Sequence, residues 1–299
     1  MRLPTLRQLQ YFLAVADSLS FSRAAENCHI TQPSLSLALN ELEETLGAKL
    51  FHRGTRKIEL SEIGKDLLPR ARSIIEQSEN FVHQAARHRA PLTGPLSLGI
   101  IPTIAPYLLP HLLPALQMSY PLLDLRLKED VTARQMDALK AGQIDVVLMA
   151  LPYDTPHMEQ MRLWKEPFFL ARAGDQLSCQ EQIALDDLQN ETILLLDDGH
   201  CLRDHILSAC RLAATRGHRK TLGATSLQTL IQMVQNGYGS TLLPSMAIDP
   251  QHIPKGVTIQ RFANPQPTRQ IGLVWRKDDP RRAEFELLGK FIIQIAAKK

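Results

Sequence analysis

Two cysteines stand nine residues apart in the stretch LLLDDGHCLRDHILSAC, residues 194–210, of a chain that holds only four, Cys28, Cys179, Cys201 and Cys210. A thiol with a second thiol within reach can do redox chemistry, because a sulfenic acid on one sulfur condenses with the other to a disulfide. Cys201 follows an apolar run, two acids and Gly199, and it opens a helical pattern. At that helix N-terminus the dipole favours a thiolate. His200 and Arg203 lie close by, and Asp197, Asp198 and Asp204 oppose the charge.

If residues 201–210 form one helix, nine residues turn ~900° and rise roughly 13.5 Å. A disulfide needs its Cα atoms within about 7 Å. The two sulfurs therefore meet only if the helix unwinds, which makes the pair a candidate two-state switch. Two blander readings stand beside this one. Both thiols could be small buried hydrophobes, or Cys201 and His205, one helical turn apart, could begin a metal site that lacks further ligands. The four cysteines match no zinc-finger spacing.

The elements that must position these groups follow from composition and pattern. The 299 residues suggest about two domains. Lys+Arg 34 against Asp+Glu 31 gives a net charge of +3, which permits nucleic-acid binding without arguing for it. No stretch approaches the ~18 apolar residues of a membrane span, and the N-terminus lacks a signal-peptide core. The expectation is a cytoplasmic protein, where thiols stay reduced.

In the first ninety residues, Leu6, Leu9, Phe12, Leu13 and Ala16 recur at helical spacing. Ser20 or Ser22 can cap a short second helix, and Thr31 a third, with Pro33 in its first turn. Leu35, Leu39, Leu42 and Leu46 form an inward stripe, and Gly47 suits the C-terminal cap. This is helix-turn-helix logic. Strand-like pieces at 49–52 and 57–60 flank a basic tip with Arg53, Arg56 and Lys57, a wing suited to phosphates or the minor groove. A long helix from Ser61 to about Arg89 carries Ile63, Leu67, Ile74, Phe81 and Ala85 as a dimerising stripe.

Beyond PLTGPLS, read as a linker, the chain alternates strands and helices. LSLGII, LLDLRLKE, IDVVLMA, EPFFLARAG, ETILLLDD and RQIGLVWRKD read as strands. TIAPYLLPHLLPALQMSYP, TARQMDALKAGQ, CLRDHILSACRLAATRG, SLQTLIQMVQNG and residues 281–297 read as helices. The alternation predicts α/β architecture in two lobes, with chemistry in the cleft between them.

The text LRQLQYFLAVADSLSFSRAAENCHITQPSLSLALNELEETLGAKLFHRGTRKIELSEIG resembles the LysR-type transcriptional regulators. The resemblance implies a winged helix-turn-helix at residues 1–60 and a linker helix at 61–90. It implies an effector domain resembling periplasmic solute-binding proteins, with lobe I at 91–164 and 268–299 and lobe II at 165–267. Many members carry arginine on the recognition helix, whereas Gln32 to Leu46 has no basic residue. DNA contacts would then rest on Thr31, Gln32, Ser34, Ser36 and Asn40, with Arg53 and Arg56 on phosphates.

DDGHCLRDHILSAC further resembles the OxyR-like hydrogen-peroxide-sensing subgroup. That resemblance makes Cys201 the peroxidatic thiol and Cys210 the resolving one. Through LGIIPTIAPYLLP and PTRQIGLVWR it implies that Thr103 and Arg269 contact peroxide, with His200 and Thr132 as further hydrogen-bonding groups. The implied protein is a peroxide-sensing activator of transcription and not an enzyme, with no cofactor and no metal. Its partners are double-stranded promoter DNA, hydrogen peroxide, other copies of itself in a dimer of dimers, and RNA polymerase as a further candidate; no membrane is involved. The alternative is a regulator of the same family that holds a small organic effector between the lobes, with structural cysteines.

Overall fold

The computed structural model describes residues 3–53, 58–86, 91–174, 182–209, 224–249 and 253–297. Two compact units emerge, one of Met1–Ala90 with Lys140–Gln143 and one of Pro91–Leu139 with Ile144–Lys299.

The first unit contains α1 (Leu6–Ser18), α2 (Phe21–Asn27), α3 (Gln32–Leu46), the antiparallel pair β1 (Phe51–Arg53) and β2 (Ile58–Leu60), and α4 (Glu62–Ala86). Local chemistry sets the helix starts. Thr5 and Gln8 form a reciprocal capping box on α1, the Ser20 side chain accepts from Arg23 N, and the Thr31 side chain accepts from Ser34 N. Gly47 ends α3 at φ +66, a conformation that costs a side-chain-bearing residue steric strain. Phe12, Val15, Leu35, Leu39, Leu42 and Leu50 close the core.

Two sequence expectations shift here. Leu6 and Leu46, counted in the inward stripes, are 45% and 38% exposed, because each sits at a helix end beyond the core. In α4 the side chains that pack on the helix-turn-helix are Leu67, Leu68, Ala71 and Ile75. Ile63, Ile74 and Phe81 turn outward, and Phe81 is 78% exposed. Leu67, counted in the expected dimerising stripe, thus belongs to the face that holds the DNA-binding helices, and Ile63, Ile74 and Phe81 lie on another.

The second unit is built from β3 (Gly94–Ile100), α5 (Ala105–Ser119), β4 (Leu123–Glu129), α6 (Thr132–Lys140), β5 (Val146–Leu151) and β6 (Met158–Ala173). It continues with α7 (Cys201–Ala209), α8 (Leu227–Gln235), β7 (Thr241–Pro244), β8 (Val257–Arg261), β9 (Thr268–Arg276) and α9 (Arg282–Ala296). The sheet order is β4-β3-β5-β9-β6-β7, with β8 also on β6. β3 is parallel to β4 and β5, and the pairings of β9 and β6 are antiparallel.

Two separate apolar cores lie along this sheet. One gathers Leu98, Ile100, Leu108, Val147, Leu273, Phe285 and Ile292. The other gathers Phe168, Leu170, Leu194, Leu230, Val234 and Leu243. They are called lobe I and lobe II below. The mixed α/β architecture with two lobes is the one the alternating pattern predicts. β6 passes from one core to the other: its first half pairs with β9, and Phe168 to Ala173 pair with β7 and β8.

Three local expectations differ. The strand read at EPFFLARAG begins earlier, at Met158, because Met158–Trp164 pair with β9 through a bulge at Arg162/Trp164. The linker reading of PLTGPLS holds only before Gly94, where β3 already starts. ETILLLDD forms isolated bridges in place of a strand, Ile193 with Ser240 and Leu196 with Ala224. Gly239 explains the first contact, since a Cβ there would stand 2.4 Å from Thr192 O.

Candidate functional site

The register of β6 against β9 sets Glu166 directly opposite Arg269. Arg269 Nε donates to Glu166 Oε2 at 2.8 Å, and neither side chain is more than 1% exposed. Arg269 Nη1 donates to Thr103 Oγ1 at 2.8 Å, and Nη2 donates to the Thr103 carbonyl at 3.1 Å. Glu166 Oε1 accepts from Met246 N at 2.7 Å and Ser245 Oγ at 3.3 Å. A buried ion pair needs such added hydrogen bonds to offset its desolvation. Thr103 lies between β3 and α5, yet it does not cap α5. Ile104 holds the N-cap position without a side-chain bond, and the Thr103 hydroxyl serves the guanidinium instead.

Cys201 opens α7 and is 4% exposed. Its side chain belongs to the lobe I core, whereas Leu202 and Ile206 of the same helix belong to the lobe II core. Gly199, at φ +94, brings the turn before the helix against Val131, whose Cγ2 would lie 3.6 Å from an added Cβ. Burial pushes the Cys201 thiol above its ordinary value, outweighing the Thr132 hydroxyl, the Arg269 charge and the Ala150 backbone N–H, which favour the thiolate. The helix N-terminus and flanking charges left the direction of this shift open, and burial sets it upward. Enclosure dominates in this state, with Thr132, Arg269 and Ala150 as the neighbours that oppose it. Thr132 Oγ1 is buried and has no hydrogen-bond partner among the described residues.

His200 is also buried, and that burial lowers its imidazole below the ordinary range, with Asp197 pulling weakly the other way. It is neutral at neutral pH, with one nitrogen to donate and one to accept. Arg203 does not face the sulfur. Its Nε pairs with Asp198 at 3.0 Å, and its Nη1 donates to Leu196 O at 3.2 Å, which braces the turn before α7. The structure thus brings Thr103, Arg269, Thr132 and Cys201 together, with His200 adjacent in the chain. Cys210 and Cys179 lie outside the described residues. Among the described residues no group of three His, Cys, Asp or Glu could hold a metal ion. Cys28 is partly buried against the helix-turn-helix core.

On the first unit, Thr31, Gln32 and Ser34 are exposed at the start of α3, and Ser36 is half-buried. Thr31 Oγ1 and Ser34 Oγ are 2.8 Å apart, and Ser22 Oγ donates to Gln32 Oε1 at 2.9 Å. Arg53 ends β1, and Arg56 lies outside the described residues. Leu37, 62% exposed on α3, was not among the expected contacts. Its apolar tip suits a thymine methyl group. Glu166 is the other missed residue, since nothing local in its sequence marks it before the register of the strands is known.

A winged helix-turn-helix unit followed by a two-lobed α/β unit with a buried redox-capable thiol defines a signal-responsive transcriptional regulator rather than an enzyme. The chain belongs to the LysR family, within its OxyR-like group: residues 6–65 match the bacterial regulatory helix-turn-helix protein, lysR family, and residues 89–297 match the LysR substrate binding domain. It is 42% identical, over 96% of its length and 93% of the relative's, to the probable hydrogen peroxide-inducible genes activator of Streptomyces viridosporus. It is similar to full-length OxyR from Pseudomonas aeruginosa, solved as a cysteine-to-aspartate variant, with a TM-score of 0.80, 33% identity and coverage of 98% and 95%. It is also similar to a peroxide-bound cysteine-to-serine variant of Corynebacterium glutamicum OxyR, with a TM-score of 0.67, 39% identity and coverage of 100% and 96%. No helix among the described residues is long and apolar enough to cross a membrane.

Proposed function

We propose that the protein senses hydrogen peroxide through Cys201 and converts the oxidation into altered contact with promoter DNA in the cytoplasm. The observation that carries this reading is the buried cluster around the sulfur: Arg269, fixed by Glu166 and Thr103, lies near an enclosed cysteine on a helix divided between two cores. The Cys201 thiolate attacks one peroxide oxygen. The S–O bond forms, the O–O bond breaks, and the departing hydroxide takes up a proton to leave as water. Arg269 and the hydroxyls of Thr103 and Thr132 favour the charge that develops on the departing oxygen, and neutral His200 can donate to it. The resulting sulfenic acid condenses with the Cys210 thiol, releasing a second water and forming a disulfide.

The DNA-binding half supports the output. Thr31, Gln32, Ser34 and Ser36 present polar groups for base edges, and Arg53 and Arg56 supply phosphate contacts. The outward face of α4 suits pairing with a second copy, and a dimer of dimers would let several recognition helices read one promoter. RNA polymerase is the partner through which activation would act.

A thiol count before and after one equivalent of hydrogen peroxide tests the reading. Two thiols should disappear per chain in the wild type. None of that pair should be lost in Cys201→Ser, and Cys210→Ser should stop at a trappable sulfenic acid.

One observation favours a second reading, an organic effector between the lobes. A cavity of about 310 Å³ is lined by Tyr107, Leu108, Trp164, Glu166, Ser245 and Met246. A thiol count unmoved by peroxide, with DNA affinity responding to a small organic molecule, would select it.

A further inference from the structure

His205 lies one helical turn beyond Cys201, so the two share a face of α7, while Leu202 and Ile206 share another roughly 100° away. The second face is packed in lobe II. The first face reaches lobe I twice: through Cys201 itself, and through His205 Nε2, which lies 3.0 Å from the Pro152 carbonyl oxygen just beyond β5. A carbonyl only accepts, so Nε2 carries the proton and Nδ1 is left as an acceptor. Nδ1 is buried and has no partner among the described residues. The ring is thus held as one neutral tautomer with a single bond, and that bond crosses from lobe II's helix to lobe I.

We infer that His205 is a positioning residue, a latch from α7 to the Pro152 carbonyl that holds Cys201 in place while it is oxidised and must release before the disulfide can form. This rests on the redox reading above. Closing a bond to Cys210 requires the helix Cys201–Ala209 to open, and a helix pinned at its midpoint to lobe I cannot unwind without losing the His205 bond. The latch does no chemistry on sulfur. It sets how long the sulfenic acid waits before the resolving thiol arrives, with the Cys201 S–O bond then broken, the new S–S bond made and water released. Burial depresses the imidazole's affinity for a proton, with the Pro152 carbonyl opposing and the nearby Arg269 charge adding to the depression. The ring therefore stays a neutral donor at the pH at which the reaction runs.

Two rates separate the latch from a structural role: sulfenic acid formation, trapped with dimedone, and conversion of that acid to disulfide, read by thiol count. His205→Leu keeps bulk and loses the bond. Its conversion to disulfide should accelerate by about five-fold or more, the effect of one net hydrogen bond, while sulfenic acid formation changes little. His205→Gln, whose amide N–H can reach the same carbonyl, should restore the wild-type rate. Equal conversion rates in wild type and His205→Leu overturn the latch, and so does slowing of sulfenic acid formation alone. A wild type that loses no thiols to peroxide overturns the redox reading itself, which is a separate failure. Should His205→Leu not fold, imidazole ¹⁵N spectra of the wild type decide. The Nε2–H tautomer should persist in the reduced protein and give way to an ordinary titration on oxidation. An imidazole that titrates normally in the reduced protein overturns the proposal.

Discussion

Glu166 and Arg269 face one another across two antiparallel strands, 103 residues apart in sequence, and form an ion pair that is closed to solvent on both sides. Thr103 from lobe I, the Ser245 hydroxyl and the Met246 backbone N–H join the same network. Removing one partner of a buried pair leaves an uncompensated charge, which costs about 3–5 kcal/mol. Glu166→Gln should lower unfolding free energy by about that amount, measured by urea denaturation of the reduced protein. A loss well under 1 kcal/mol would mean that Arg269 finds other acceptors.

Thr103→Val removes the hydroxyl at nearly constant volume. If Thr103 Oγ1 holds the peroxide-binding geometry, oxidation of Cys201 by peroxide should slow by about 10²-fold, the typical cost of one preorganised donor. Alkylation of the same thiol by iodoacetamide should change by less than about tenfold, the effect of a one-unit shift in thiol pKa. Stopped-flow oxidation beside timed alkylation makes the comparison. Equal slowing of both would assign Thr103 to thiol access alone.

The imidazoles of His200 and His205 both lie below the ordinary value of 6.5, through burial. A group whose folded pKa is depressed contributes stability that is present above the unfolded pKa. That stability is lost as pH falls from about 6.5 through the folded values. Reduced protein should therefore unfold at lower urea concentration at pH 5.5 than at pH 7.5. Replacing both histidines by glutamine should flatten that part of the profile, and an unchanged pH dependence would deny the two rings this role.

Arg53→Ala should weaken binding to all DNA sequences and reduce the slope of log affinity against log salt by about one, because one phosphate contact and its released counterion are lost. Gln32→Ala should alter sequence preference with little change in slope. Fluorescence anisotropy across a salt series distinguishes them. An Arg53→Ala protein with the wild-type slope would remove the wing from the phosphate backbone.

Oxidation should expose the backbone of α7. Hydrogen exchange at residues 202–208 should lose protection when the 201–210 disulfide forms, since Leu202 and Ile206 must leave the lobe II core as the helix opens. Retained protection with a confirmed disulfide would sink the unwinding step.

Much of this was legible before the structure. Thr31 and Ser20 announce their helices by cap chemistry, and both make the expected bonds. Thr103 and Arg269 were singled out 166 residues apart, and they meet. What the sequence hides is register. Glu166 reads as one acid before a proline, and only the pairing of β6 with β9 sets it against Arg269. ETILLLDD has a strand's composition, but it meets its neighbours at single points and so forms bridges. The direction of the Cys201 shift was also hidden. Flanking charges and a helix terminus are local features, whereas the enclosure that outweighs them comes from lobe I, a part of the chain more than fifty residues away.

The enclosure of that sulfur has one more consequence. With 4% of its residue surface open, Cys201 is closed off by packed side chains. Hydrogen peroxide is about the size of two waters and can slip into a packed interior, whereas cumene hydroperoxide or glutathione disulfide cannot follow without displacing side chains. Oxidation by hydrogen peroxide should therefore outpace oxidation by cumene hydroperoxide by more than their reactivities toward a free thiol differ. Packing density around the sulfur would then add a selection by size to whatever the groups that touch the oxidant contribute.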